Sequence, residues 1–123
     1  MNRDDILEIA QSLIRGDRAK DYGDAFENHE RIAEGWNVIM REALKTHGYL
    51  TAEHVALMMD WLKTSRLLHT LDHADSWVDK AAYSALGGEF AEARKDKKNK
   101  NPKPYIDEQT LSDFLESVTS GNK

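Results

Sequence analysis

The only two prolines of this chain stand at 102 and 104, so everything before them is free of the residue that breaks helices most reliably. Apolar residues in that long stretch recur at spacings of three and four rather than two, which predicts amphipathic helices and no sheet. Residues 4–16 carry Ile6, Ile9, Ala10, Leu13 and Ile14 and then a glycine stop at Gly16. Residues 17–23, with Tyr22-Gly23, read as a connector. Asp24 is placed to cap a second helix that runs to about residue 46, where Gly48 ends it. Its expected buried stripe is Phe26, Ile32, Ala33, Trp36, Ile39, Met40 and Leu44. Thr51 is the expected N-cap of a third helix over 52–69. The acid after it comes two residues on, not three, so no full capping box is expected. After a break at 70–74, a fourth helix spans 75–94 and holds Trp77, Val78, Leu86 and Phe90; Gly87-Gly88 weaken it. Residues 95–104 form a basic linker, and Leu111, Phe114, Leu115 and Val118 mark a last short helix over 107–119. Short loops between long helices predict antiparallel neighbours. The expected fold is all-α, a helical bundle of four to five helices. It divides into a main domain, 1–94, and a tail, 95–123.

Composition narrows what such a bundle can do. The chain of 123 residues suits one domain with a modest core. It has no cysteine, which excludes disulfides and thiolate metal sites. No apolar run approaches the roughly 20 residues of a membrane span, and the N-terminus is too polar for a signal peptide. A cytoplasmic protein with no membrane partner is expected. The formal net charge of −5 argues against a nucleic-acid partner. It leaves room for a small polyanion, because metal ions can stand between carboxylates and phosphates.

The third and fourth helices carry the pattern with chemistry in it. Glu53, Asp60 and Lys63 share a face: seven residues make nearly two turns, and Lys63 is offset from Asp60 by only about 60°. Asp75 and Asp79 are an i,i+4 pair, with Tyr83 continuing the row. Like charges at that spacing repel mildly, and a divalent cation between them reverses the sign. Two facing helices could thus present Asp60, Asp75 and Asp79 to Mg²⁺ or Mn²⁺, with Lys63 offsetting phosphate charge. A solvated face is the competing reading. The apolar surroundings, Trp77, Val78 and Ala81-Ala82, favour a site. On the second helix, Glu30 and Glu34 are weaker metal candidates, and Asn28 suits either a base or sugar contact or a helix–helix contact. The five histidines lack zinc-hydrolase spacing, and His54 and His69 read as structural or surface groups. Trp36, Trp61 and Trp77 are expected in the core.

These residues also resemble a known family. Tyr22-Gly23-Asp24, Glu27-Asn28, Ile32-Ala33 and Trp36 are similar to the start of small phage-borne, MazZ-type members of the MazG-like all-α nucleotide pyrophosphatase superfamily. The likeness continues through Val55-Ala56-Leu57-Met58-Met59, Lys63 and Arg66-Leu67. It is most specific at Asp75-Ser76-Trp77-Val78-Asp79, Ala82-Tyr83 and Ala85-Leu86-Gly87. The resemblance implies that Asp75 and Asp79 occupy an acidic-pair helix, with Asp60 on the helix before it, holding Mg²⁺ or Mn²⁺. This chain departs from the family where Ala56, Leu57 and Asp60 replace several glutamates, so Glu30, Glu34 and Glu53 stay open as substitute ligands.

The resemblance further implies a nucleoside triphosphate substrate, GTP or dGTP by preference, cleaved to the monophosphate and pyrophosphate. Asn28, Lys63 and Tyr83 are the nucleotide-binding candidates. A homodimer or homotetramer in a host cytoplasm is the expected setting. Two rival expectations stand beside this one. One is a non-catalytic phage helical interaction protein. The other, weaker, is a nucleic-acid accessory protein acting through the lysine-rich tail.

Overall fold

The computed structural model describes residues 1–16, 24–96 and 108–121. They form five α-helices with no strand among them: α1 (Arg3–Arg15), α2 (Ala25–Thr46), α3 (Ala52–His69), α4 (Ala74–Asp96) and α5 (Glu108–Gly121). None is long and apolar enough to cross a membrane. The predicted connector at 17–23 lies outside the described residues. The predicted linker begins two residues too early, since α4 continues through Lys95 and Asp96, and its remainder lies outside the described residues.

Local chemistry explains the boundaries. Asn2 opens α1 with a reciprocal capping box to Asp5, both bonds 3.0 Å. Asp24 caps α2 through the Glu27 amide. Gly48, at φ 79°, closes α2, accepting the left-handed geometry that side chains resist. The cap of α3 departs from expectation. Thr51 does have its capping box, but His54 completes it: the Thr51 amide donates to His54 Nδ1 at 2.9 Å. Gly87 and Gly88 sit within an unbroken α4.

Three of the five helices pack. α3 is central, with α2 on one side and α4 on the other, while α1 and α5 pack against no other described helix. The contacts fix antiparallel order. Asn28 and Trp36 of α2 meet Ser65 and Met58 of α3, in opposite sequence. Glu53, Asp60 and Lys63 of α3 meet Arg94, Lys80 and Asp79 of α4. The expected bundle is thus realised, among the described residues, as a layer one helix thick.

That layering overturns most of the expected core. Among the described residues, the buried apolar ones are Ala43, Ala56 and Leu67. Phe26, Met40 and Leu44 of the predicted α2 stripe are exposed, as are Val55, Trp77, Val78, Leu86 and Phe90. A helix in a single layer keeps open sides, and periodicity marks an apolar stripe without showing what covers it. Trp36 and Trp61 are half-buried, donating to the carbonyls of Met58 at 2.8 Å and Arg31 at 3.0 Å. Trp77, expected in the core, is exposed and donates to the Leu71 carbonyl.

Candidate functional site

The α3–α4 seam concentrates the charged candidates. Gly87 lets the helices approach closely, because a Cβ there would stand 3.1 Å from that of Ala56. Two ion pairs cross the seam in reciprocal order. Lys63 of α3 binds Asp79 of α4 at 3.0 Å, and Lys80 of α4 binds Asp60 of α3 at 3.1 Å. Lys80 also donates to the Thr64 hydroxyl. The adjacency of Asp79 and Lys80, and the three-residue step from Asp60 to Lys63, put one pair on each side of the seam. Both lysines are largely withdrawn from solvent.

One helical level away, Arg94 grips Glu53 with two bonds, Nη2 donating to Oε1 at 2.8 Å and Nε to Oε2. The Arg94 hydrogen bond holds the Glu53 carboxyl below the usual carboxylate range, and the same bond raises Arg94. Between these anchors lies a cleft of about 290 Å³, lined among others by Glu53, Leu57, Asp60, Tyr83 and Gly88. Its small α4 wall, Ser84, Gly87, Gly88 and Ala91, leaves room that larger side chains would fill.

The expected site residues are only partly brought together. Asp60, Lys63 and Asp79 meet across the seam, and Tyr83 joins Asp60 at the cleft. Asp75 is exposed in the first turn of α4, where a negative charge complements the helix dipole. Glu30 and Glu34 are exposed on α2. Glu30 is turned about 160° from Asn28, which faces α3. Asn28 is buried and accepts from Ser65 at 2.7 Å, so its helix–helix role is the one realised. Among the described residues no three His, Asp or Glu side chains stand close enough to share a metal ion. Sequence reading missed Lys80 and Arg94. Their signal was positional: each lies at the height of an α3 acid once the helices run antiparallel.

Comparison with known proteins places the chain without supplying a chemistry. It is similar to the Gene 55 protein of Mycobacterium phage L5, 46% identical over 81 residues, or 66% of this chain and 49% of that one. The Gene 55 protein of Mycobacterium phage D29 is 40% identical over 83 residues, 64% of this chain and 48% of that protein. The chain therefore spans about half the length of these curated relatives. No solved structure matches. A family described as "Domain of unknown function (DUF6378)" matches residues 5–91, from α1 through most of α4. By that match the chain belongs to the DUF6378 family.

Proposed function

We propose that this protein is a metal-dependent nucleoside triphosphate pyrophosphohydrolase that converts a (d)NTP, with GTP and dGTP favoured, to the monophosphate and pyrophosphate. The observation that carries the proposal is Asp60, paired with Lys80, lining a ligand-sized cleft, with the Lys63–Asp79 pair crossing the same seam on its other side. The resemblance to MazG-like pyrophosphatases supplies the reaction and the guanine preference.

The donors have the right chemistry for Mg²⁺ or Mn²⁺, since both metals favour carboxylate oxygen. They do not make a resident cage of three ligands. They fit a cation that arrives with the nucleotide, because Mg²⁺ commonly takes one or two carboxylates and completes its shell with phosphate oxygens and water. Such a cation, when bound, offsets phosphate charge and makes a bound water more acidic. The chain's own contribution is positional. Lys63 and Lys80 are compact cations held at fixed heights by Asp79 and Asp60, suited to phosphate oxygens. Leu57 and Tyr83 flank the cleft with apolar surface for a base. Asp75 is a candidate carboxylate one turn before Asp79.

Titrating GTP and Mg²⁺ together should raise the melting temperature of the wild-type chain, because a ligand bound only by the native state stabilises it by mass action. Asp79→Asn and Asp60→Asn should lose that shift and turnover while keeping the helical signal. Full activity in both variants would contradict the proposal. The second reading, a non-catalytic interaction protein, draws on the large exposed apolar surface. Under it, nucleotides with Mg²⁺ leave the melt unchanged.

A further inference from the structure

We infer that Arg31 is an anion anchor on the cleft side of the layer, and that it takes the outer phosphates of a nucleoside polyphosphate. The identity of the ligand rests on the nucleotide reading given above. The place of the anchor rests on Arg31 itself. Arg31 is half-buried, and its Nε is withdrawn from solvent with no acceptor. Its Nη2 donates to the Ser65 carbonyl at 3.5 Å, a long bond for a guanidinium. Lys63, Lys80 and Arg94 each hold a carboxylate. Arg31 holds none among the described residues. A guanidinium carries five donors, and shielding its charge from water without a partner costs free energy. Arg31 is thus the cation of this seam that gains most from an arriving anion.

Trp61 fixes where Arg31 stands. Its indole donates to the Arg31 carbonyl and fills the place where a side chain at Gly35 would begin. Arg31 and Gly35, one turn apart, therefore lie on the flank of α2 that meets Trp61. On α3, Leu57, Trp61 and Thr64 are spaced by four and three and share that flank. Leu57 lines the cleft, and the Thr64 hydroxyl accepts from Lys80. Thr64 and Ser65 are neighbours in sequence, so Lys80 from α4 and Arg31 from α2 reach α3 at the same height. Leu57 lies eight residues before Ser65, about 12 Å along the axis. A ligand that fills the cleft and reaches both cations is therefore extended, apolar at one end and anionic at the other. A nucleoside triphosphate with its base in the cleft meets that description. The planar fork of arginine also matches adjacent phosphate oxygens.

The experiment uses the full chain, Mg²⁺ and α,β-methylene-GTP, which cannot be cut between its first two phosphorus atoms, and reads binding by calorimetry. Arg31→Met keeps the length of the stem and removes the charge. It should bind the analogue about tenfold or more weakly than the wild type does. Arg31→Lys should fall between the two, because it keeps the charge and loses the fork. Without ligand, Arg31→Met should melt no lower than the wild type, because an unpaired and partly buried charge has been removed. A melt several degrees lower would make Arg31 a support of the α2–α3 contact and overturn the inference. So would an unchanged affinity in Arg31→Met, or a wild-type chain that does not bind the analogue. Failure of the hydrolase reading alone looks different: the analogue binds with this dependence on Arg31, and GTP stays intact.

Discussion

Gly35 decides how closely α2 and α3 can pack. A Cβ at that position would stand 2.0 Å from Trp61 Nε1, inside the indole that bonds to the Arg31 carbonyl. Gly35→Ala should therefore destabilise the chain by about 1–3 kcal/mol despite alanine's better helix propensity. A melting temperature lower by several degrees would show it, and an unchanged or higher one would mean that Trp61 moves aside freely. His54 governs a different property. Burial holds its imidazole below the usual range, with the nearby His47 adding to the effect. Its Nδ1 accepts from the Thr51 amide, which requires that nitrogen to be unprotonated. A depressed folded pKa means that the unfolded chain takes up the proton first. The contribution is thus present above the ordinary value of 6.5 and lost as pH falls below it. Glutamine is also a capping-box residue, so His54→Gln keeps the cap without the titration. Stability to urea between about pH 7 and pH 5 should fall less in the variant than in the wild type. Glu53 acts in the same direction only nearer its ordinary value of 4.5. The sequence left His54 as a structural or surface group, and its cap role was not legible, because a histidine at that position is an unusual partner for threonine.

At the scale of the element, helix positions were easier to read than helix surroundings. The bounds of α3 follow from Thr51 and the three-and-four spacing, and the structure keeps both. The burial of its apolar residues could not be read in the same way. Leu67 is buried while Val55 and Leu57 on the same helix are exposed, because α2 and α4 claim only two sides of α3. The two adjacent glycines of α4 illustrate the same limit. Sequence gives them equal helix propensity, yet a Cβ at Gly87 would stand 3.1 Å from that of Ala56 while one at Gly88 would have nothing within 4 Å. Gly88→Ala should stabilise α4 by roughly 0.5–1 kcal/mol, a gain of intrinsic helix propensity. A thermal melt checks it; a loss of stability would mean that the cleft wall at Gly88 is filled. In the candidate site, Asp60, Lys63 and Asp79 were legible from face sharing. Their pairing was not, because Lys80 enters only once the helix register is known.

At the scale of the molecule, the described residues form a layer of three helices and two helices that pack against no other described helix. The chain belongs to a family matched from α1 to α4 and is related to phage proteins about twice its length. The helical class was fixed by what the sequence lacks, proline before position 102 and period-two alternation. The packing of α1 was not legible, since an amphipathic stripe is equally satisfied within one chain or between chains. The proposed chemistry is hydrolysis, with a metal-activated water as nucleophile. Under that proposal the phosphate chain is cut between nucleoside monophosphate and pyrophosphate. The most direct test is to incubate the full chain with GTP or dGTP and Mg²⁺ and separate the first products by ion-exchange chromatography. The proposal predicts monophosphate and pyrophosphate in equal amounts, arrest by EDTA, recovery with Mg²⁺ or Mn²⁺, and slower cleavage of adenine nucleotides. Diphosphate with orthophosphate as first products, rates indifferent to EDTA, or intact nucleotide throughout would contradict it.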